Sequence, residues 1–498
     1  MRHRAPIRVL IFVWALAFSL GGQAPSDTVE EIALDPQAAL HPFPHFWEQM
    51  FGSGRAILSL RESYGRDLRA MRQSTGIRYV RFHAVFDDEV GVYDEDGEGR
   101  PIYNWSYVDQ IYDGLLENGV RPFVELSFMP RKLASSLTPH PFWYRPLPAP
   151  PASYAKWEEL VYQFAHHLVE RYGVAEVRQW YFEVWNEPNI DFWTGQPKQS
   201  TYFELYDHAA RAIKRADSGL RAGGPATAQA AWVDAMIAHA VQNKIPLDFV
   251  STHVYANDTS EDVFGTHEAI PRRDMVARAV RKVYDQVKAS ARPDLPIFWS
   301  EYNASYKNEI DVTDSAFMGP WLANNIRMCD GMTALMSYWT FSDVFEEQGV
   351  VKTPFYGGYG LIAEGGIPKA AFNAFRMLHR LGDQRQQPEL TDALVTRSAD
   401  GGLEVAIWNY AAPSETGSPR AVHLRLKGSS GPAQFHVEIV DPEHGSALEA
   451  WRAMGSPAFP SREEYERLRH AAGVTRKVDG PSFQLPAHSL ALVDIRLQ

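Results

Sequence analysis

Two acidic residues stand where strand-like apolar runs end. Glu187 closes the run in YFEVWNEPN and is followed by Pro188, which has no amide hydrogen to give a sheet ladder and so helps to stop the strand. Glu301 stands in the same way at the end of PIFWSEYN. Two carboxylates brought over one opening are what acetal cleavage needs, with acid help for the leaving oxygen and base or nucleophile help at the anomeric carbon. A buried ion pair is the structural alternative for either glutamate. Asn186, His83, His253 and Tyr255 also lie at predicted strand ends, and the last two are two residues apart and so share a face. A regular strand sends Asn186 and Glu187 to opposite faces, so the chain must distort or stop there if both are to reach the opening.

The elements that must carry these residues are legible as an alternation of short apolar runs and amphipathic segments between His45 and Leu381. Strand-like runs begin near Phe46, Arg78, Arg121, Gln179, Leu220, Asp248, Pro296 and Thr333. Helical periodicity marks Tyr154 to Tyr172, Tyr202 to Ala216, Asp274 to Ala291 and Ala370 to Leu381. Eight such pairs predict an α/β fold, a (β/α)8 TIM barrel over residues 45–382, rather than an open doubly wound sheet. The lone GSG at Gly52 to Gly54 is too weak a signal for a nucleotide loop. Long loops follow the third strand (Met129 to Pro151) and the eighth (Ser342 to Ile367). They leave the carboxyl ends of strands, the face on which such barrels build active sites, and their aromatics Phe142, Trp143, Phe355, Tyr356 and Tyr359 argue for order and substrate contact.

After Gly382 the texture changes to alternating runs at Leu403 to Tyr410, Ala421 to Lys427, Phe435 to Asp441 and Ser489 to Leu497. These predict an accessory antiparallel β-sandwich over residues 383–498, interrupted by a helix over Ser461 to His470. The segment TVEEIAL (Thr28 to Leu34), within residues 25–44, is placed to add a strand to it.

The net charge of -12 and the lack of a dense Lys/Arg tract argue against nucleic-acid binding. The 14 Trp, 22 Tyr and 26 Phe supply flat apolar faces for sugar rings as well as core. Arg2, Arg4 and Arg8, an apolar run from Val9 to Leu20 and small residues ending at Ala24 have the layout of a secretory signal peptide, which predicts a secreted or periplasmic protein cleaved near Ala24. The run is short for a bilayer span, and an uncleaved anchor is the minority reading. Cys329 is the only cysteine, so no intrachain disulfide forms, and there is no H-E-x-x-H or paired-cysteine spacing. No metal and no cofactor is expected, and a homo-oligomer stays open.

WNEPN, THVY, SEYNASY and YWTFSDVFEEQG, in this order, together resemble glycoside hydrolase family 39 and specifically its β-xylosidase branch. The resemblance runs over nearly the whole chain after the leader, including AWRAMGSPAFP at Ala450 to Pro460. It implies a retaining mechanism with Glu187 as acid/base and Glu301 as nucleophile, a pair ~5 Å apart, close enough for direct attack on the sugar. With Glu301 ionised, charge repulsion and burial should keep Glu187 protonated until the glycosyl ester forms. It also implies that Asn186 bonds the sugar 2-hydroxyl, that His83 bonds sugar hydroxyls, and that His253 and Tyr255 orient the nucleophile and the sugar. Trp339 is implied as the stacking platform, and Glu346 and Glu347 as carboxylates for the distal hydroxyls of a xylose. The structural alternatives are a satisfied core histidine for His83, core packing for Trp339 and solvated surface charges for Glu346 and Glu347.

Family 39 includes α-L-iduronidases, which need a cation for a sugar carboxylate. Two glutamates in the eighth loop favour a neutral pentose, unless Arg55, Arg131 or Lys352 reaches the site from another loop. The expected substrate is an oligosaccharide or small glycoside and the expected activity an exo-acting β-D-xylosidase. Ser300 and Tyr302 beside the nucleophile, and the loop after Phe128, leave arabinopyranosides or another neutral glycoside open. A sugar-binding protein on a glycosidase scaffold is the rival from another class.

Overall fold

Eight parallel strands close on themselves in chain order: Met50–Gly52, Tyr79–Phe82, Arg121–Leu126, Tyr181–Val184, Arg221–Thr227, Phe249–Tyr255, Ile297–Asn303 and Leu335–Tyr338. The last pairs with the first through Ser337 and Met50, which completes the barrel. This computed structural model describes residues 29–428 and 432–497; the leader expected over residues 1–24 lies outside them. All eight predicted strands are present. No helix among the described residues is long and apolar enough to cross a membrane.

The two-residue period of the strands fills the barrel in layers. Met50, Phe123, Phe249, Phe298 and Leu335 form a buried plug, with Tyr79 and Tyr181 packed on it. One step further along the strands the interior turns polar, with Arg81, Glu125, Glu183, Ser251 and Ser300 all buried. The next step reaches the mouth with His83 and His253. The outer helices present apolar stripes to the barrel. In Tyr154–Tyr172 the stripe is Trp157, Leu160, Val161, Phe164 and Leu168, the Ser153 hydroxyl accepts from the Lys156 amide at 3.4 Å, and Gly173 ends the helix at φ 82°.

Residues after the barrel form the predicted antiparallel sheets. A seven-stranded sheet runs in the order Leu40–Pro42, Gln384–Gln386, Ala393–Arg397, Leu403–Asn409, Ser489–Leu497, Ala433–Val440, Arg476–Asp479. A three-stranded sheet, Glu30–Leu34, Arg420–Leu426 and Ser482–Leu485, faces it across a core containing Ile32, Val405, Ile407, Leu424, Phe483 and Val493. Glu30–Leu34 pairs parallel to Arg420–Leu426, while Leu40–Pro42 enters the other sheet, so the chain before the barrel contributes to both. The insertion holds two helices, Leu448–Ala453 and Arg462–Gly473. Trp451 packs on Phe355 of the eighth-strand loop at 5.4 Å between ring centres, and Arg452 bonds Asp311 at 2.5 Å.

That eighth-strand loop is also fixed from within. Lys369, at the start of the helix Ala370–Leu378, lies 2.6 Å from both Asp314 and Asp343, and none of the three side chains is exposed. Its ammonium also donates to the Gly358 carbonyl at 2.9 Å. Asp314 accepts the Gly357 amide at 2.6 Å and Asp343 the Gly360 amide at 2.7 Å. Burial pushes Asp343 up to about 7, against the pull of Lys369. Replacing Lys369 by Met leaves two buried acids without their cation, and a loss of about 3–5 kcal/mol is expected in denaturant unfolding. An unchanged unfolding midpoint would refute this account of the loop.

Candidate active site

The fourth strand stops at Val184, and the next residues turn sharply. Trp185 has φ 72° and Glu187 φ 43°, left-handed values that non-glycine residues rarely adopt. The turn is held because the Trp185 indole is buried and donates to the Phe192 carbonyl at 2.8 Å, while the Glu187 amide donates to Ala226 at 2.8 Å. Both Asn186 and Glu187 thereby line one cavity, which a regular strand would prevent. On the seventh strand the register slips against the eighth between Trp299 and Tyr302, where Glu301 sits, and against the sixth between Thr252 and His253.

Oxygens of Glu187 and Glu301 and a ring nitrogen of His253 all lie within 4.8 Å of one another. His253 Nδ1 is 3.0 Å from Glu187 Oε1 and 3.7 Å from Glu301 Oε2, with Nε2 3.1 Å from Ser300 Oγ. The Tyr255 hydroxyl donates to Glu301 Oε2 at 2.7 Å. Beneath them lies Arg81, fully buried. Its Nη1 donates to Glu301 at 2.7 Å, Nε to Glu183 at 2.6 Å, and Nη2 reaches Glu125 at 2.7 Å and Asn186 Oδ1 at 3.0 Å.

These contacts divide the two glutamates electrically. Burial, then the charges of Glu301 and Asp258, hold the Glu187 carboxyl well above the usual range. Burial, with Arg81 and His83 close by, pulls His253 well below its usual value, so its ring is neutral. Burial opposes charge on His83, but Glu125, 2.7 Å from its Nδ1, outweighs it and raises that histidine. The geometry therefore presents one carboxyl that keeps its proton beside one that is hydrogen-bonded by Arg81 and Tyr255.

The cavity is about 380 Å³, near the small end for small-molecule sites, and its wall includes His83, Asn186, Glu187, Tyr255, Glu301, Trp339 and Glu347. Trp339 stands 4.7 Å from the His83 ring, over Gly52; a Cβ at position 52 would overlap the indole, which explains the first glycine of the GSG. His253 does not line the wall but backs both glutamates. Glu346 is not in the wall either: Arg61 and Arg55 take its oxygens at 2.6 and 3.2 Å. Its neighbour Glu347 faces in, 3.8 Å from His83, with its carboxyl pushed up to about 8 by burial. The two acids read alike in sequence because only the loop's path decides which meets an arginine.

Sequence reasoning missed Arg81, Glu125, Glu183 and Asp258. The first three had a signal, a charged residue in the middle of an apolar strand run, which must be paired if buried. Asp258 lies just past the sixth strand and had none. Besides Glu187, His253 and Glu301, one other trio among the described residues has metal-ligand spacing, His45, Glu48 and His379. There Glu48 already accepts from the Gly76 amide at 3.0 Å and meets His45 at 2.6 Å and His379 at 2.9 Å.

The profile of glycosyl hydrolases family 39 matches residues 30–484. The chain belongs to this family. It is 37% identical over 447 residues to a β-xylosidase of Geobacillus stearothermophilus, covering 88% of each chain. It is 36% identical over 443 residues to a β-xylosidase of Caldicellulosiruptor saccharolyticus, covering 87% of this chain and 89% of the other. The crystal structure of a monomeric β-xylosidase from Caulobacter crescentus CB15 superposes with a TM-score of 0.85 at 33% identity, covering 94% of this chain and 99% of that one. This family 39 chain is thus a glycosidase whose barrel and accessory sandwich are those of its solved relatives.

The raised Glu187 carboxyl predicts that kcat/KM declines as pH rises through its pKa, and that the Glu187→Gln enzyme lacks that alkaline limb. On a substrate with a poor leaving group the same variant should lose about 10²- to 10⁴-fold. An alkaline limb that survives in the variant would show that another group supplies the proton.

Proposed function

We propose that this retaining glycosidase is an exo-acting β-D-xylosidase that releases xylose from short xylo-oligosaccharides, with Glu301 as nucleophile and Glu187 as acid/base. The observation that carries the reading is the catalytic pair itself: oxygens within 4.8 Å leave no room for a water between carboxylate and sugar, the geometry of double displacement. Glu301 attacks the anomeric carbon while Glu187 gives its proton to the departing oxygen. Ester formation removes the Glu301 charge, which removes one cause of the raised Glu187 pKa and leaves Glu187 ready to take a proton from water.

The glycone is read from the wall. It carries Glu187, Asp258, Glu301 and Glu347 but no lysine or arginine, and Arg55 is engaged by Glu89 and Glu346. A sugar carboxylate would find no lysine or arginine there to pair with, which favours a neutral pentose over an iduronide. A protonated Glu347 both donates to and accepts from a hydroxyl, with His83 beside it and Trp339 as the platform. The exo mode is supported where the third and eighth loops meet, with the Trp143 amide donating to the Glu347 carbonyl at 2.8 Å. That bridge closes the rim beside the glycone.

The basic start, apolar run and small residues before Ala24 support export of the mature enzyme. Amino-terminal sequencing of the enzyme from its native host tests this, and retention of residues 1–24 would overturn it.

Of aryl β-xyloside, α-L-arabinopyranoside and α-L-iduronide, the first should be cleaved with the highest kcat/KM. Glu301→Ala should lower that rate by about 10⁴-fold or more. Preference for the iduronide, or undiminished turnover by the variant, would refute the assignment.

A further inference from the structure

The cavity wall divides by strand of origin. His83, Trp339, Glu347 and Tyr359 come from the second and eighth strands and their loops, and they surround the glycone side of Glu301. Ile190, Gln229 and Asp258 come from the loops after the fourth, fifth and sixth strands, and Tyr306 from the loop after the seventh. Glu187 stands at the end of the fourth strand. Since it protonates the departing oxygen, the expelled group lies over this second half.

The end of the fifth strand and the loop after it are strained. Ala226, Gln229, Ala230 and Trp232 have φ of 51°, 62°, 53° and 59°, and none is glycine. Such values are unfavourable for residues with a Cβ and persist only where the surroundings enforce them. They do so here. Asn189 accepts the Ala228 amide at 2.9 Å and donates back to the Ala228 carbonyl at 3.0 Å, Thr227 bonds the Ala231 carbonyl at 2.5 Å, and Lys282 bonds that of Ala230 at 3.0 Å. All of these bonds use the neighbours of Gln229, and Gln229 itself lines the cavity.

Two further groups meet it. Asp258 spends Oδ2 on the Tyr255 amide at 2.7 Å, which leaves Oδ1 for a ligand, and burial pushes its carboxyl up to about 7, so near neutrality it can donate or accept. Tyr306 is fixed through its backbone, its amide donating to Asn257 at 3.0 Å and its carbonyl accepting the Tyr359 hydroxyl at 2.7 Å. The residue is nonetheless 44% exposed and lines the cavity, its ring perpendicular to that of Tyr255. A held backbone under an exposed ring is a ready face for the C–H side of a sugar.

We propose that Gln229, Asp258 and Tyr306 form a leaving-group subsite for a second sugar ring, with Gln229 and Asp258 bonding its hydroxyls and Tyr306 lying against its face. The assignment rests on the xylosidase reading of the same site, and it makes the natural substrate a saccharide rather than a glycoside of an apolar alcohol. The strain in the fifth-strand loop is then the cost of aiming Gln229.

Steady-state kinetics on β-1,4-xylobiose and on an aryl β-xyloside test it in the wild type, Gln229→Ala and Tyr306→Ala. The ratio of kcat/KM for xylobiose to that for the aryl xyloside should fall about tenfold or more in each variant, through KM for the disaccharide. Parallel losses on both substrates, or a ratio that moves less than about twofold in both variants, would overturn the subsite while leaving the xylosidase reading intact. A wild type inert toward both xylosides would overturn that reading, and the subsite with it.

Discussion

Inside the barrel a guanidinium with no solvent contact meets three carboxylates and an amide oxygen, and this charge balance is what the catalytic centre is built on. Arg81 spreads its donors in a plane, toward Glu183 on one edge, Glu301 on another, and Glu125 with Asn186 on the third. The side chain cannot lose its proton at any ordinary pH, and its fork holds several acceptors in fixed directions, which a lysine ammonium would not do. Burial disfavours the charge, but the surrounding carboxylates outweigh it and raise the Arg81 pKa. The same contacts orient Glu301 without using the oxygen that Tyr255 holds. Glu187 receives no hydrogen bond from Arg81, and so burial and its neighbours' negative charge dominate and keep it protonated.

Two carboxylates in one dry site can divide acid and nucleophile only if their environments differ. The barrel creates the difference by height as well as by partner. Aromatic rings plug the lower layer, charged residues occupy the middle, and the reacting groups stand at the mouth. His253 bonds Glu187 at 3.0 Å and lies 3.7 Å from Glu301, and because burial holds its pKa well below the usual value it sets no positive charge beside either.

The accessory sandwich and the end of the barrel share the task of holding the rim. Trp451 and Arg452, from the insertion, bear on the loops after the eighth and seventh strands, and the buried Lys369 grips Asp314 and Asp343 below them. Glu347 and Tyr359 lie on the loop so fixed, which makes the shape of that part of the cavity wall a property of both domains. Arg55 and Arg61 play a different part, engaging Glu346 outside the cavity wall.

Sequence alone determined the eight strands, their alternation with helices, the sandwich that follows, and the positions of Glu187 and Glu301, because apolar periodicity and strand-ending residues are local properties of the chain. The resemblance to family 39 rested on four short segments that lie at strand ends or in the loops beyond them, where chemistry is concentrated. The tertiary structure decided what depends on distant partners. Glu346 and Glu347 are adjacent and alike, yet one meets two arginines and the other the cavity. Arg81 met Glu301, and Asp258 joined the cavity wall, only when strands far apart in the chain met across one opening. Protonation followed the same rule, since the proton on Glu187 depends on burial and on Glu301 and Asp258, charges that no local pattern records.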